Sequence, residues 1–314
     1  MTDHLCLGSG SEFDRIRSIY ARLGPAGDGL GDDCALLHAD KATLALSIDI
    51  SVEGVHFRRD WLSLPQIGYR AAAAALSDLA AEGARAAGLL VSVGVPRQGP
   101  ASEAADIMVG VGSAASDAGA KVLGGDLTDA PQIIVDVCAI GTAPRPVRRV
   151  GAAPGDGVWV TGRLGAVALA LPQLQAGLRP EPEIMERFAH PEPRLAAGLW
   201  LASQGAHAMI DLSDGLSSDA GHLAAASGVA VEIALDRLPC WPGASASVAA
   251  SSGEEYELLV VLPPAFGETQ ARAFAGLVDL PLTRIGSCAT GAGVRFTDRG
   301  TAVTVPPGYD HFAA

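Results

Sequence analysis

The stretch from Leu64 to Gly88 constrains the fold more than any other: it is alanine-rich, has no proline after Pro65, and holds a single aspartate, Asp78, among Ala74, Ala75, Leu76, Leu79 and Ala80. Alanine-rich segments favour helix, so one long helix is predicted here, ending near Gly83 or Gly88. An aspartate on so apolar a helix is costly unless it meets a cation or hydrogen-bond donors. Position 78 is therefore expected to serve more than folding.

Strand and helix signals alternate from residue 44 onward. Leu44, Leu46, Ile48 and Ile50 share one strand face by period two, and Ser47 and Asp49 share the other. That alternation predicts Ile48 and Ile50 in the core. A β-branched run from Ile133 to Ile140 leads into Gly141-Thr142-Ala143-Pro144-Arg145-Pro146, the sharpest break in composition, where a domain boundary is expected. Beyond it come a strand at Val158-Trp159-Val160, a helix from about Gly165 to Gly177, and Ala208-Met209-Ile210 running into Asp211-Leu212-Ser213-Asp214-Gly215. A helix then reaches Gly228, and strands follow near Val229 to Leu235 and Glu257 to Leu262.

At 314 residues and 49% hydrophobic content, the chain is long enough for two α/β domains, 1–147 and 148–314, each with its own core. Its 22 basic and 35 acidic residues give a net charge of −13, which argues against nucleic acid or an anionic membrane as partner. An acidic protein that handles phosphates needs metal ions as intermediaries. The five cysteines are scattered and never in a C-x-x-C pair, so a disulfide framework and a zinc site are both unexpected. With Met1 to His4 lacking a basic flank before an apolar run, and no apolar run of about 18 residues anywhere, a cytoplasmic protein is expected.

There is no G-x-x-x-x-G-K-[ST] loop, no G-x-G-x-x-G and no kinase-type catalytic loop, so nucleotide binding must be built another way. The candidates are acidic groups beside glycine or at element ends: Gly31-Asp32-Asp33, Ser47-Ile48-Asp49, Ser77-Asp78, Gly124-Gly125-Asp126 and Asp211-Leu212-Ser213-Asp214-Gly215. Taken singly, Asp32 and Asp33 read more readily as turn residues, Ser213 or Asp214 as a helix N-cap and Asp126 as an Asx-turn, whereas Asp78, on its apolar helix, has no such reading. Converging carboxylates would raise one another's pKa unless divalent metal sat among them, and hard oxygen ligands with few histidines point to magnesium.

These blocks, with SIDISVEGVHF from Ser47, ALSDLAAEGA from Ala75, RRVGAAPGD from Arg148, VTGRLG from Val160, SSGEEYEL from Ser251 and GYDHF from Gly308, resemble the thiamine-monophosphate kinases over nearly the whole chain. Their superfamily includes aminoimidazole ribonucleotide synthetase. The resemblance implies an α/β fold with mixed α+β sheets, its N-terminal sheet pairing with its twin in a homodimer. It also implies ATP-dependent phosphorylation of thiamine monophosphate to thiamine diphosphate, with several Mg2+ ions. By position, Asp32, Ser47, Asp49, Asp78, Asp126, Asp211 and Asp214 would be magnesium ligands, Asp49 and Asp214 catalytic. Gly125, Asp126, Arg149 and Ser213 would contact ATP, and His56, Glu254 and Tyr309 thiamine monophosphate. Read alone, His56 is a structural hydrogen-bonder, Glu254 and Glu255 a solvated turn, and Tyr309 a packed terminal aromatic.

Ile48, Ile50, Leu127, Asp129, Glu82, Ala166 and Ser252 differ from the family pattern, and none removes a carboxylate ligand. The competing readings are a related ATP-dependent synthetase with another acceptor, a non-catalytic nucleotide- or metal-binding paralogue, and a multi-metal phosphatase. Selenophosphate synthetase-like chemistry would want a reactive N-terminal cysteine followed by lysine, whereas the first lysine here is Lys41; the hydrogenase maturation relative would want a C-terminal cysteine.

Overall fold

The structure, a computed structural model, describes residues 5–23, 30–39 and 42–312; Met1 to His4, Lys41 and the last two alanines lie outside the described residues. Helix α1 (Ser11–Leu23) is followed by a five-stranded sheet in the order β1-β2-β5-β3-β4, formed by β1 (Ala35–Ala39), β2 (Ala42–Val52), β3 (Arg85–Val95), β4 (Lys121–Asp129) and β5 (Ile134–Thr142). Helices α2 (Leu64–Ala81) and α3 (Glu103–Asp117) provide the crossovers. β3 and β4 run parallel, whereas β2 and β3 each pair antiparallel with β5.

The Gln66 side chain accepts from the Ser63 N–H at 3.0 Å, capping the start of α2, and Gly83, at φ +64°, closes its end. Ile67, Ala71, Ala75, Leu76 and Leu79 pack on Leu89, Val91, Val135 and Val137 of the sheet. Leu76 and Leu79, fully buried, contribute about 2 kcal/mol each. Small residues let α2 meet α3 backbone to backbone: a Cβ on Gly68 would lie 1.9 Å from the Ile107 carbonyl oxygen, and one on Gly110 1.7 Å from that of Pro65. Of the two predicted ends the helix takes the earlier. Gly88 lies in β3, whose Arg85-Ala86-Ala87-Gly88 start carries a helix-like composition that sheet pairing overrides.

The predicted alternation along β2 is present, but the expectation that Ile48 and Ile50 enter the core is overturned. Ile48 is 70% and Ile50 51% exposed, while Ala45 and Ser47 are buried. The polar face is the one that turns toward α2, because Asp78 is there to meet it; the aliphatic face stays open in the single chain.

A second sheet, in the order β12-β11-β8-β10-β6-β9-β7, is antiparallel except between β8 and β11. Its strands are β6 (Gly157–Thr161), β7 (Ala208–Asp211), β8 (Ala230–Ala234), β9 (Leu258–Leu262), β10 (Leu282–Ala289), β11 (Gly293–Asp298) and β12 (Thr301–Val303). The flanking helices are α4 (Ala166–Gln175), α5 (Pro182–Ala189), α6 (Leu195–Ser203), α7 (Leu216–Ser227), α8 (Ala246–Ala250) and α9 (Glu268–Val278). One core lies under α7; another joins Ala80 and Ala81 of α2 to Trp159, Leu201, Met209 and Val260. The far end of α2 is thus packed into the second half, which carries the site across both sheets.

Candidate active site

Helix α2 gathers the acidic residues. Asp78 accepts from the Ser47 hydroxyl on β2, and the preceding Ser77 donates to Asp211 Oδ2 at 2.6 Å, at the end of β7. Carboxylate oxygens of Asp33, Asp78 and Asp211 all lie within 4.8 Å of one another. Three carboxylates so close cannot all ionise without a cation. Burial first, then Asp211 and Asp33, pushes Asp78 well above the ordinary carboxylate range. Burial and the charge of Asp33 take Asp211 up to about 7.

Asp33 is held by Arg149 in a two-pronged contact, Nε at 3.0 Å and Nη2 at 2.8 Å, yet burial still pushes its carboxyl up. Asp32 is turned elsewhere, accepting from Arg148 Nε at 2.7 Å and from the Arg149 N–H at 2.9 Å. The sequence pair Asp32-Asp33 thus divides its work. Asp33 joins the acidic cluster while Asp32 anchors the segment that carries Arg149.

Asp49 comes from β2 and Asp214 from the turn between β7 and α7, and burial pushes each to about 6, Glu254 adding to the effect at Asp49 and Glu12 at Asp214. Tyr309 donates its N–H to the Asp214 carbonyl at 2.8 Å. Asp214 and Tyr309, with Glu12, Phe13 and His222, line a cavity of about 170 Å³; Asp49 lies outside it. Asp214, Asp219 and His222 form a second close group; there Asp219 accepts from the Gly215 N–H at 3.0 Å and His222 Nδ1 from the Gly8 N–H at 3.2 Å.

His56 accepts from the Val52 N–H through Nδ1 at 3.0 Å, and its ring lies 5.1 Å from that of His311, itself 4.7 Å from Tyr309. Three rings therefore run from the turn after β2 across to the C-terminal segment. Glu254 is ion-paired with Arg70 of α2 at 2.9 Å, and its N–H donates to the Ser213 carbonyl at 2.7 Å. The solvated-turn reading fails for its neighbour. Glu255 is 1% exposed and accepts from the N–H groups of Gly165 and Val167 at the start of α4.

Gly125 and Asp126 sit on the edge strand β4, not in a turn. A Cβ at Gly125 would meet the Val91 carbonyl oxygen at 1.8 Å, so the close approach of β3 requires glycine there. The register sets Asp126 in one row with Ser92, Asp136 and Ile50, on the face opposite Asp49 and Ser47. Asp126 belongs to neither close acidic group among the described residues.

The donor set suits magnesium: hard carboxylate and hydroxyl oxygens, buried and mutually repelling, are what a divalent cation relieves. Asp33, Asp78 and Asp211 with Ser47 are the residues that would hold it. Asp33 and Ser77, present in the candidate acidic groups, carried no assigned role in the sequence, and Arg70 and His311 were not singled out, although His311 lies inside the GYDHF block.

Residues 31–143 match the N-terminal domain of the AIR synthase related protein family, and residues 153–299 its C-terminal domain. The thiamine-monophosphate kinase of Salmonella typhimurium is 37% identical over 320 residues, spanning 96% of this chain and 96% of that protein. The chain belongs to the thiamine-monophosphate kinase family. A solved relative from the same kinase family, AaThiL complexed with AMPPCP and TMP, superposes with a TM-score of 0.85 at 30% identity, covering 96% of this chain and 97% of that one. Hydrogenase maturation protein HypE, at 18% identity and a TM-score of 0.70 over 90% of this chain and 93% of that one, shares the fold alone. Kinase membership thus bears out the expected fold and family.

Proposed function

We propose that this enzyme transfers the γ-phosphate of ATP to the phosphate of thiamine monophosphate, giving thiamine diphosphate and ADP. One observation carries the reading: near-full-length similarity to thiamine-monophosphate kinases, one of them solved with AMPPCP and TMP, coincides with a buried carboxylate cluster at the junction of the two sheets. The acceptor is already an anion, so charge neutralisation matters more than a strong general base. Magnesium held by Asp33, Asp78, Asp211 and Ser47 would supply that neutralisation.

The proposed ligands around the buried cluster are Ser47, Asp49, Asp78, Asp211 and Asp214, with Asp33 added on its position among the carboxylates; Asp32, tied to Arg148 and Arg149, and Asp126, on the opposite sheet face, are assigned to separate ions. Asp49 and Asp214 face the reaction from opposite domains. Arg149 is assigned to ATP with Gly125, Asp126 and Ser213; its Nε and Nη2 hold Asp33, so a phosphate oxygen would be met by the remaining guanidinium N–H groups. His56, Tyr309 and Glu254 are assigned to thiamine monophosphate, whose cationic thiazolium suits an aromatic wall beside a carboxylate. Residues 1–147 would form the nucleotide and dimerisation domain, and 148–314 would complete the cleft.

The open aliphatic face of the first sheet, with Ile48, Ile50, Leu37 and Leu90 exposed, supports pairing with a second copy. Five free cysteines, with no helix among the described residues long and apolar enough to cross a membrane, fit work in a reducing cytoplasm.

The test is an assay with ATP, magnesium and thiamine monophosphate that follows thiamine diphosphate directly, with Asp49→Asn and Asp214→Asn as controls. Product lost in both variants supports the reading. No product from folded, nucleotide-binding wild type would move the assignment to another phosphorylated acceptor.

A further inference from the structure

We propose that Arg70 is a positioning residue for the phosphate acceptor: its guanidinium holds the Glu254 carboxylate in the orientation that meets thiamine monophosphate. This rests on the reading of Glu254 given above.

Helix α2 supplies the first reason. Along its buried surface the polar side chains are Arg70 and Ser77, in a row otherwise of alanine, glycine, leucine and isoleucine. Ser77 reaches Asp211, Asp78 beside it meets Ser47, and Arg70 Nη2 reaches Glu254 Oε1 at 2.9 Å. Arg70 and Asp78 are eight residues apart, two turns along one side. Each of these polar groups on α2 therefore has a candidate site residue as its partner.

The second reason is how firmly the arginine itself is fixed. Its Nη1 donates to the Phe188 carbonyl, and the guanidinium lies 4.4 Å from the centroid of the Phe188 ring. The Arg70 side chain is 7% exposed and that of Glu254 30%, so the cation is anchored inside while the carboxylate reaches the cleft. Among the described residues no other ion pair involves Glu254.

The third reason is backbone. Glu254 sits at φ +56°, in the left-handed region that a residue with a side chain enters at a cost of about 1 kcal/mol. Its bond to Ser213 holds it there. The backbone thus sets where the side chain starts, and Arg70 sets where it ends. The backbone bond seats Glu254 against Ser213, the residue before Asp214, which places that end beside the site.

A purely structural ion pair is the competing account, and it predicts a different loss. Removing one partner of such a pair leaves the other uncompensated, so its breakage would appear in the thermal midpoint without favouring one substrate over another.

The experiment uses the full chain and varies ATP and thiamine monophosphate independently for wild type, Arg70→Met, Arg70→Lys, Glu254→Gln and the Arg70→Met/Glu254→Gln double variant, with thermal midpoints for each. Arg70→Met is expected to raise KM for thiamine monophosphate roughly tenfold or more, as loss of a charged hydrogen-bond partner does, while KM for ATP and kcat change by less than about threefold. Arg70→Lys should recover part of that loss, and Arg70→Met should add nothing in the Glu254→Gln background. Should the methionine variant fail to fold, the lysine variant and its double with Glu254→Gln supply the same cycle. An unchanged KM for thiamine monophosphate, equal effects on both substrates, or full additivity overturns the proposal. Wild type without turnover overturns the functional reading and this proposal with it; an active wild type with an unaffected Arg70 variant overturns this proposal alone.

Discussion

The Ser77 hydroxyl donates to Asp211 Oδ2 at 2.6 Å, joining residues 134 positions apart and tying α2 to the end of β7. That bond favours the ionised form of a carboxyl that burial and Asp33 otherwise push up to about 7. Ser77→Ala should therefore raise Asp211 further and destabilise the protein by about 1 to 2 kcal/mol. A ligand must be deprotonated to bind metal, so the variant should also need more magnesium for its thermal midpoint to rise at pH 7. Magnesium titration followed by thermal unfolding checks this; an unchanged dependence would separate Ser77 from the metal site.

Asp78 lies in the middle of the repulsion, and Asp78→Asn should show function and stability moving in opposite directions. In chelator the variant should be more stable than wild type by about 1 to 3 kcal/mol, because a buried carboxyl among others is removed. In magnesium it should lose the stabilisation that wild type gains, and its turnover should collapse. The sign with pH is fixed. Asp49 and Asp214 at about 6 and Asp211 at about 7 hold protons in the folded state that the unfolded chain, near 3.8, has released. In chelator their contribution is full below about pH 4 and is lost as pH rises toward 7. Stabilisation by magnesium should grow over the same interval, as unfolding at pH 5, 6, 7 and 8 with and without the metal would show.

How much of this was legible in the sequence follows from what each residue depends on. The end of α2 at Gly83, the strands at 133–140, 158–160 and 208–210, and the helix closed by Gly228 all follow from local signals: left-handed glycine, β-branched runs and helical spacing. β3 was hidden because Arg85-Ala86-Ala87 continues the composition of the helix before it. The inside of β2 was misjudged because period two shows that two faces differ, not which one is covered. Here Asp78 and Ser47 decide it from 31 residues apart. The cluster as a set of acidic blocks was visible. Asp33 as the partner of Asp78, Arg70 as the partner of Glu254 and the ring contact of His311 with His56 are long-range pairings, which no local spacing encodes.

The open face of β2 makes a prediction about assembly. Ile48 is 70% exposed, so Ile48→Asp should alter the stability of an isolated chain by no more than about 0.5 kcal/mol. If two copies pair through this face, the same change places a charge in an apolar interface with no partner, and association should fail. Light scattering after size exclusion should report two chains for wild type and one for the variant. Two chains in both would move the contact to another surface.

Glu82, which stands where the family usually has an apolar residue, is fully buried, and neither carboxylate oxygen has a hydrogen-bond partner among the described residues. Burial, with Asp32 and Asp33 nearby, pushes it up to about 9, so the folded state keeps it protonated at neutral pH. The unfolded chain releases that proton near 4.5. Its contribution is therefore intact below about pH 4.5 and drains away as pH rises through 9, a loss that accumulates at about 1.4 kcal/mol per pH unit while only the unfolded form is ionised. Glu82→Gln has nearly the same shape and cannot ionise. It should match wild type or fall slightly below it at pH 5, where both carry an unpaired neutral group, and exceed it by on the order of 3 kcal/mol at pH 8. Glu82→Leu should exceed wild type at both values, because it also removes the unpaired polar atoms. Urea unfolding at pH 5 and 8 measures both differences, and a pH slope unchanged by either substitution would mean that Glu82 meets a cation in solution and stays ionised.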